Sequence, residues 1–119
     1  MKVDDFNNIV TMRMEVVKKT LIGKAKEYAN DEERFANFKA VAAMNNQTPE
    51  EALWGMVSKH VISVRDMCKG GKVTQELINE KIGDWITYGF LMEGIFAEKL
   101  YKEAVEVPDM QEVGEWDKR

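Results

Sequence analysis

The chain has 119 residues, a formal net charge of −4 and one cysteine. With 45% hydrophobic and 32% charged residues, it has the balance of a folded domain rather than a disordered one, and its length indicates a single domain. The basic residues are scattered and form no stripe that could track phosphates, which argues against a nucleic-acid partner. The lone Cys68 excludes an intrachain disulfide and a cysteine metal knuckle. "MKVDDFNNIV" places acids where a secretory signal needs bases, and no apolar run reaches the ~18 residues that span a bilayer. The expectation is a cytoplasmic protein with no membrane contact.

Apolar residues recur at spacings of three and four, the helical period. Phe6, Ile9, Val10, Arg13, Val17 and Leu21 trace one face of a first helix, expected from about Asp4 to about Ala29. A second, shorter helix is expected over "DEERFANFKAVAAM", with Phe35, Phe38 and Ala42 on its inner face. "NNQTPEE" is the clearest punctuation. Thr48 suits an N-cap, Pro49 the first helical position, and Glu51 completes a capping box. The third helix then runs from Pro49 to about Cys68, with Leu53, Val57, Val61, Val64 and Cys68 as its stripe. "KGG" ends it.

Thr74 is expected to cap a fourth helix reaching about Glu103. From Trp85 to Phe96 its apolar side chains cover most of the circumference, as in a central helix or one shared with another subunit. Gly83, Gly89 and Gly94 lie within it, and close approach of neighbouring helices is the expected compensation. The sum is an all-α bundle of about four helices over residues 1–104, oligomeric through the fourth helix, followed by an acidic tail over 105–119.

Three polar sets could carry chemistry. On the fourth helix, Glu80, Asp84 and Tyr88 fall on one face, and two carboxylates so spaced can share Mg²⁺. They could equally be a solvated edge favoured by the helix dipole. On the third helix, Lys59, Ser63 and Asp66 share a face, with His60 beside the apolar stripe as either a phosphate contact or a satisfied core histidine. At the bend between the first two helices, Lys24, Lys26, Glu27, Tyr28, Arg34 and Asn37 could receive a base and sugar, or simply form a polar turn. No nucleophile elbow, Walker loop or dinucleotide fingerprint occurs.

"EKIGDWITYGF" resembles the second motif of the MazG-like all-α nucleoside triphosphate pyrophosphohydrolases. Taken in order, Lys24–Ala29, Arg34–Phe38, Lys59–Ser63 and Glu80–Tyr88 resemble small phage and prophage proteins of that kind, across roughly residues 20–98. The resemblance implies an oligomeric helical bundle that binds Mg²⁺ on helix-borne carboxylates and hydrolyses a nucleotide between its α- and β-phosphates. It implies Glu80 and Asp84 as metal ligands, with Asp66 added. Lys59, His60 and Arg34 would meet phosphate, and Tyr28, Asn37, Lys24 and Tyr88 would line the rest of the substrate site. The sequence departs from the family in two places. Lys81 stands where the first acid of E-x-x-D is expected, and the third helix shows no E-x-x-E. These departures leave open a non-catalytic helical oligomerisation protein in which Glu80 and Asp84 pair with Lys59 or Arg65.

Overall fold

The computed structural model describes residues 1–23 and 33–101, and every regular element among them is helical. Helix α1 (Val3–Lys18) runs on into one π-helical turn, Lys19–Gly23. Helix α2 is Ala36–Met44 and α3 is Pro49–Cys68. Helix α4 is composite: it starts as Gln75–Leu77, widens into a π-helical turn over Ile78–Ile82 and continues as Gly83–Leu100. This is the expected all-α arrangement of four helices. Lys24, Lys26, Glu27, Tyr28 and the acidic tail lie outside the described residues.

The ends of α3 follow from local chemistry. Thr48 Oγ1 accepts from the Glu51 backbone N–H at 3.2 Å, and the Glu51 carboxylate accepts from the Thr48 N–H at 3.0 Å. Both satisfy donors that a helix start otherwise leaves orphaned. The Thr48 bonds hold the Glu51 carboxyl below the usual carboxylate range, the backbone bond first. At the other end Gly70 sits at φ 95°, a left-handed conformation that glycine takes without a Cβ clash. Thr74 Oγ1 accepts from the Leu77 N–H at 3.1 Å and so caps α4.

The core is the seam between α3 and α4. Leu53 and Val57 meet Leu91 and Ile95, each pair one helical turn apart, with Phe35, Phe38 and Tyr88 packed around them. Two of the α4 glycines allow the close approach expected of them. A Cβ on Gly94 would stand 2.6 Å from the Phe35 ring, and one on Gly83 would stand 2.7 Å from the Arg13 guanidinium. Gly89 departs from that expectation, because among the described residues nothing beyond its own stretch of helix lies within 4 Å of its Cβ position.

Three further expectations need correction. The first-helix stripe is not buried along its length. Val17 is buried and Arg13 Nη2 donates to Asn79 Oδ1 at 2.7 Å, but Phe6, Ile9 and Val10 are 57%, 50% and 46% exposed. Arg13, in the C-terminal half of α1, meets α4 at Asn79 and Gly83. Second, α2 starts at Ala36, since Glu33 forms a turn instead: its carboxylate accepts from the Phe35 N–H at 3.0 Å and from Lys39 Nζ at 2.8 Å. Third, Cys68 is exposed where its helix ends, rather than in the seam. As expected for α4, apolar surface exceeds what the seam can cover, and Trp85, Phe90 and Phe96 face outward. Among the described residues no helix is long and apolar enough to cross a membrane.

Candidate functional site

A cavity of about 320 Å³ opens where the end of α1, the start of α2 and the middle of α4 meet. The π-helical turn contributes Thr20 and Leu21, the α2 segment contributes Arg34, Asn37 and Phe38, and α4 contributes Asp84, Thr87, Tyr88 and Leu91. Residues from two of the three polar sets in the sequence therefore converge. Arg34 and Asn37 come from the bend, and Asp84 and Tyr88 come from the acidic motif.

The threonine hydroxyls are turned to their own helices: Thr20 Oγ1 donates to the Val16 carbonyl at 3.0 Å and Thr87 Oγ1 to the Gly83 carbonyl at 3.1 Å. Arg34 Nη2 donates to the Leu21 carbonyl at 3.4 Å. That contact fixes the guanidinium at the cavity wall. Burial, with the Asp84 charge as a smaller cause, pushes the Tyr88 hydroxyl above its ordinary value, so it stays a neutral donor at physiological pH. The Asp84 side chain is half exposed at the lip. One face of the cavity is thus apolar and aromatic, with a guanidinium, an amide, a carboxylate and a phenol around it.

His60 on α3 stands behind this wall. Its Nε2 lies 3.9 Å from Asp84 Oδ2, and its ring centroid lies 5.4 Å from that of Tyr88 at an interplanar angle of 45°. The side chain is 15% exposed, and Nδ1 is buried with no hydrogen-bond partner among the described residues. An unmet buried nitrogen costs roughly 1–3 kcal/mol.

The other candidate residues fall elsewhere. The Glu80 carboxylate is 3.1 Å from Lys81 Nζ and does not line the cavity. Asp66 lies 3.4 Å from Arg65, and Lys59 is exposed. Among the described residues no group of three or more His, Cys, Asp or Glu side chains could hold a metal ion. Glu80, Asp84 and Asp66 therefore form no cage here, and no reaction step through Mg²⁺ follows from them. The pairing of Glu80 or Asp84 with Lys59 or Arg65 is replaced by Glu80–Lys81 and the looser Asp84–His60 contact. Lys24 and Tyr28 lie outside the described residues.

Sequence reasoning missed part of the lining. Phe38 and Leu91 read as core, which they partly are, and the threonines carry no pattern. It also missed a second hollow, about 460 Å³, between α3 and α4 on the far side of Tyr88. Trp54, Trp85, Met92 and Phe96 line it, with Glu50 and Glu51 at its edge. Compared with known proteins, the chain matches no family model, no curated protein and no solved structure.

Proposed function

We propose that this chain is a MazG-like nucleotide-binding protein of phage type and that the cavity beside Tyr88 receives the nucleoside. The observation that carries this reading is the convergence of Arg34, Asn37, Asp84 and Tyr88 on one cavity of about 320 Å³. Phe38 and Tyr88 offer ring surface to a flat base. The Asn37 amide can both donate to and accept from a base edge, and the Asp84 carboxylate accepts from sugar hydroxyls or a base amino group. Arg34 is the cation for phosphate, with a planar fork suited to its oxygens. The described carboxylates do not build a metal cage, so the reading stops at binding. Mg²⁺ would arrive on the phosphates of the ligand. Pyrophosphohydrolase activity is a separate question that the same experiment answers.

The experiment is a thermal-shift and calorimetric screen of the chain against nucleoside mono- and triphosphates, ribo and deoxy, with and without Mg²⁺. Pyrophosphate release is followed in parallel. A raised melting midpoint with one nucleotide class, lost in Asp84→Asn and Asn37→Ala, supports the reading. Absence of any shift and of any turnover removes it.

A second reading is favoured by the exposed aromatic hollow between α3 and α4. A large exposed apolar patch marks an interaction surface, and here Trp54, Trp85 and Phe96 are 58%, 43% and 50% exposed. In this reading the chain is a non-catalytic oligomerisation protein joined through α4, and the Glu80–Lys81 pair is a surface contact. Trp85→Ala separates the two readings: it abolishes association under the second and leaves nucleotide binding under the first.

A further inference from the structure

Among the described residues, helix α1 presents a second stripe that the bundle does not use. Asp5, Ile9, Met12, Val16 and Lys19 follow one another at spacings of four, three, four and three, so they line one face. Ile9, Met12 and Val16 are 50%, 68% and 52% exposed, and Asp5 and Lys19 are exposed as well. Arg13, which bonds to Asn79 of α4, and the buried Val17 are each one residue on from Met12 and Val16. One residue is about 100° around a helix of 3.6 residues per turn. The stripe therefore looks sideways, away from the face that docks.

Its order is self-complementary. Read in either direction it runs charge, apolar, methionine, apolar, charge, with the sign reversed at the two ends. Two such stripes laid antiparallel about a two-fold axis at Met12 set Asp5 against Lys19, Ile9 against Val16 and Met12 against Met12. A parallel pair would instead set Asp5 against Asp5 and Lys19 against Lys19. The helix dipole alone also favours Asp5 at the start and Lys19 at the end, but it gives no reason for three large apolar side chains on the line between them.

We infer that α1 pairs antiparallel with α1 of a second copy of this chain, through the stripe Asp5–Ile9–Met12–Val16–Lys19. The interface is isologous, since each copy offers the same patch. The paired helix has 16 residues, a length of about 24 Å. The contact is therefore at the small end of the range for specific interfaces, and the dimer is weak, concentration-dependent and sensitive to salt.

Sedimentation equilibrium of the full chain over a wide concentration range tests this. The expected result is a reversible monomer–dimer equilibrium. Met12→Asp places two carboxylates on the axis and raises the dissociation constant at least about tenfold. Because Met12 is exposed, its circular dichroism and monomer melting stay unchanged. Asp5→Lys and Lys19→Asp each weaken the dimer, and the two together in one chain restore it. A monomer at every concentration overturns the inference. So does a dimer indifferent to Met12→Asp, which would point to the α3–α4 hollow instead. A charge-reversed pair that fails to restore association overturns the antiparallel register.

Discussion

Helix α1 and the α3–α4 seam carry apolar residues at the same helical spacing, yet one face is covered within the chain and the other is not. In the seam, Leu53 is fully buried and Val57, Leu91 and Ile95 are nearly so. In α1 only Val17 reaches that state, while Phe6, Ile9 and Val10 keep about half of their surface in water. The difference lies in the neighbours. Only residues 69–74 separate α3 from α4, and a short link makes two long helices pack side by side. Helix α1 meets α4 near Asn79 and Gly83, close to the start of α4, so its N-terminal turns pass beyond what α4 can cover. A periodic apolar stripe announces a face that wants a partner and does not say where the partner is.

The largest expected effect breaks the comparison at its buried side. Leu53→Ala should lower stability by about 2–5 kcal/mol, because it removes transfer energy and leaves a cavity between two helices. Phe6→Ala should change it by less than about 0.5 kcal/mol at concentrations where the chain is monomeric, as expected for surface positions. Urea unfolding of both variants checks this. Equal losses would mean that α1 is as well packed as the seam.

The glycines of α4 sharpen the contrast on one helix. Gly94→Ala drives a Cβ into the Phe35 ring, and the overpacking should cost about 1–3 kcal/mol. Gly89→Ala meets no neighbouring element among the described residues and should stabilise α4 by up to about 1 kcal/mol, the propensity difference alone. Opposite signs in thermal melts of the two variants are the expected result. Below these lies Thr48→Ala, which removes the cap of α3 and should cost about 1 kcal/mol.

Much of the fold was legible in residues whose effect is local. Thr48, Pro49 and Glu51 act within one turn, and their capping box forms as the sequence implies. Gly70 likewise ends α3 with the backbone angle that only glycine adopts freely. The widened turns at Lys19–Gly23 and Ile78–Ile82 were not legible, because their residue types do not distinguish a turn closed by i→i+5 bonds from one closed by i→i+4 bonds. The candidate site was half legible. Asp84 and Tyr88 share a helix face and stay together, and Arg34 and Asn37 join them through tertiary packing. Glu80 was expected beside Asp84, but the neighbouring Lys81 ammonium engages its carboxylate. A face argument counts spacing and does not see which charge a flexible side chain will prefer.

The smallest expected effect concerns the rim where α2 meets α4. Lys39 reaches both Glu33 and Glu98. Its bond to Glu33, then that to Glu98, raises the Lys39 value, and the same Lys39 bond, then the Phe35 N–H, lowers that of Glu33. A carboxyl lowered by folding adds stability above its unfolded value, which is lost as pH falls through the folded one. A lysine raised by folding adds stability below its unfolded value, which is lost as pH rises through the folded one. The cluster should therefore contribute across the neutral range and fade at both ends. All three side chains are more than a third exposed, so water and salt screen the effect. Lys39→Met should flatten part of the acid-side slope of the melting midpoint and all of the lysine-linked part on the alkaline side. The acid-side remainder belongs in part to Glu51, whose lowered value depends on Thr48 rather than on Lys39. Thr48→Ala with Lys39→Met should therefore flatten the acid limb further than either alone. An acid limb unchanged in the double variant would mean that Lys39 and the Thr48 hydroxyl add nothing to it, leaving the Phe35 and Thr48 backbone N–H groups, which the double variant keeps, as its source.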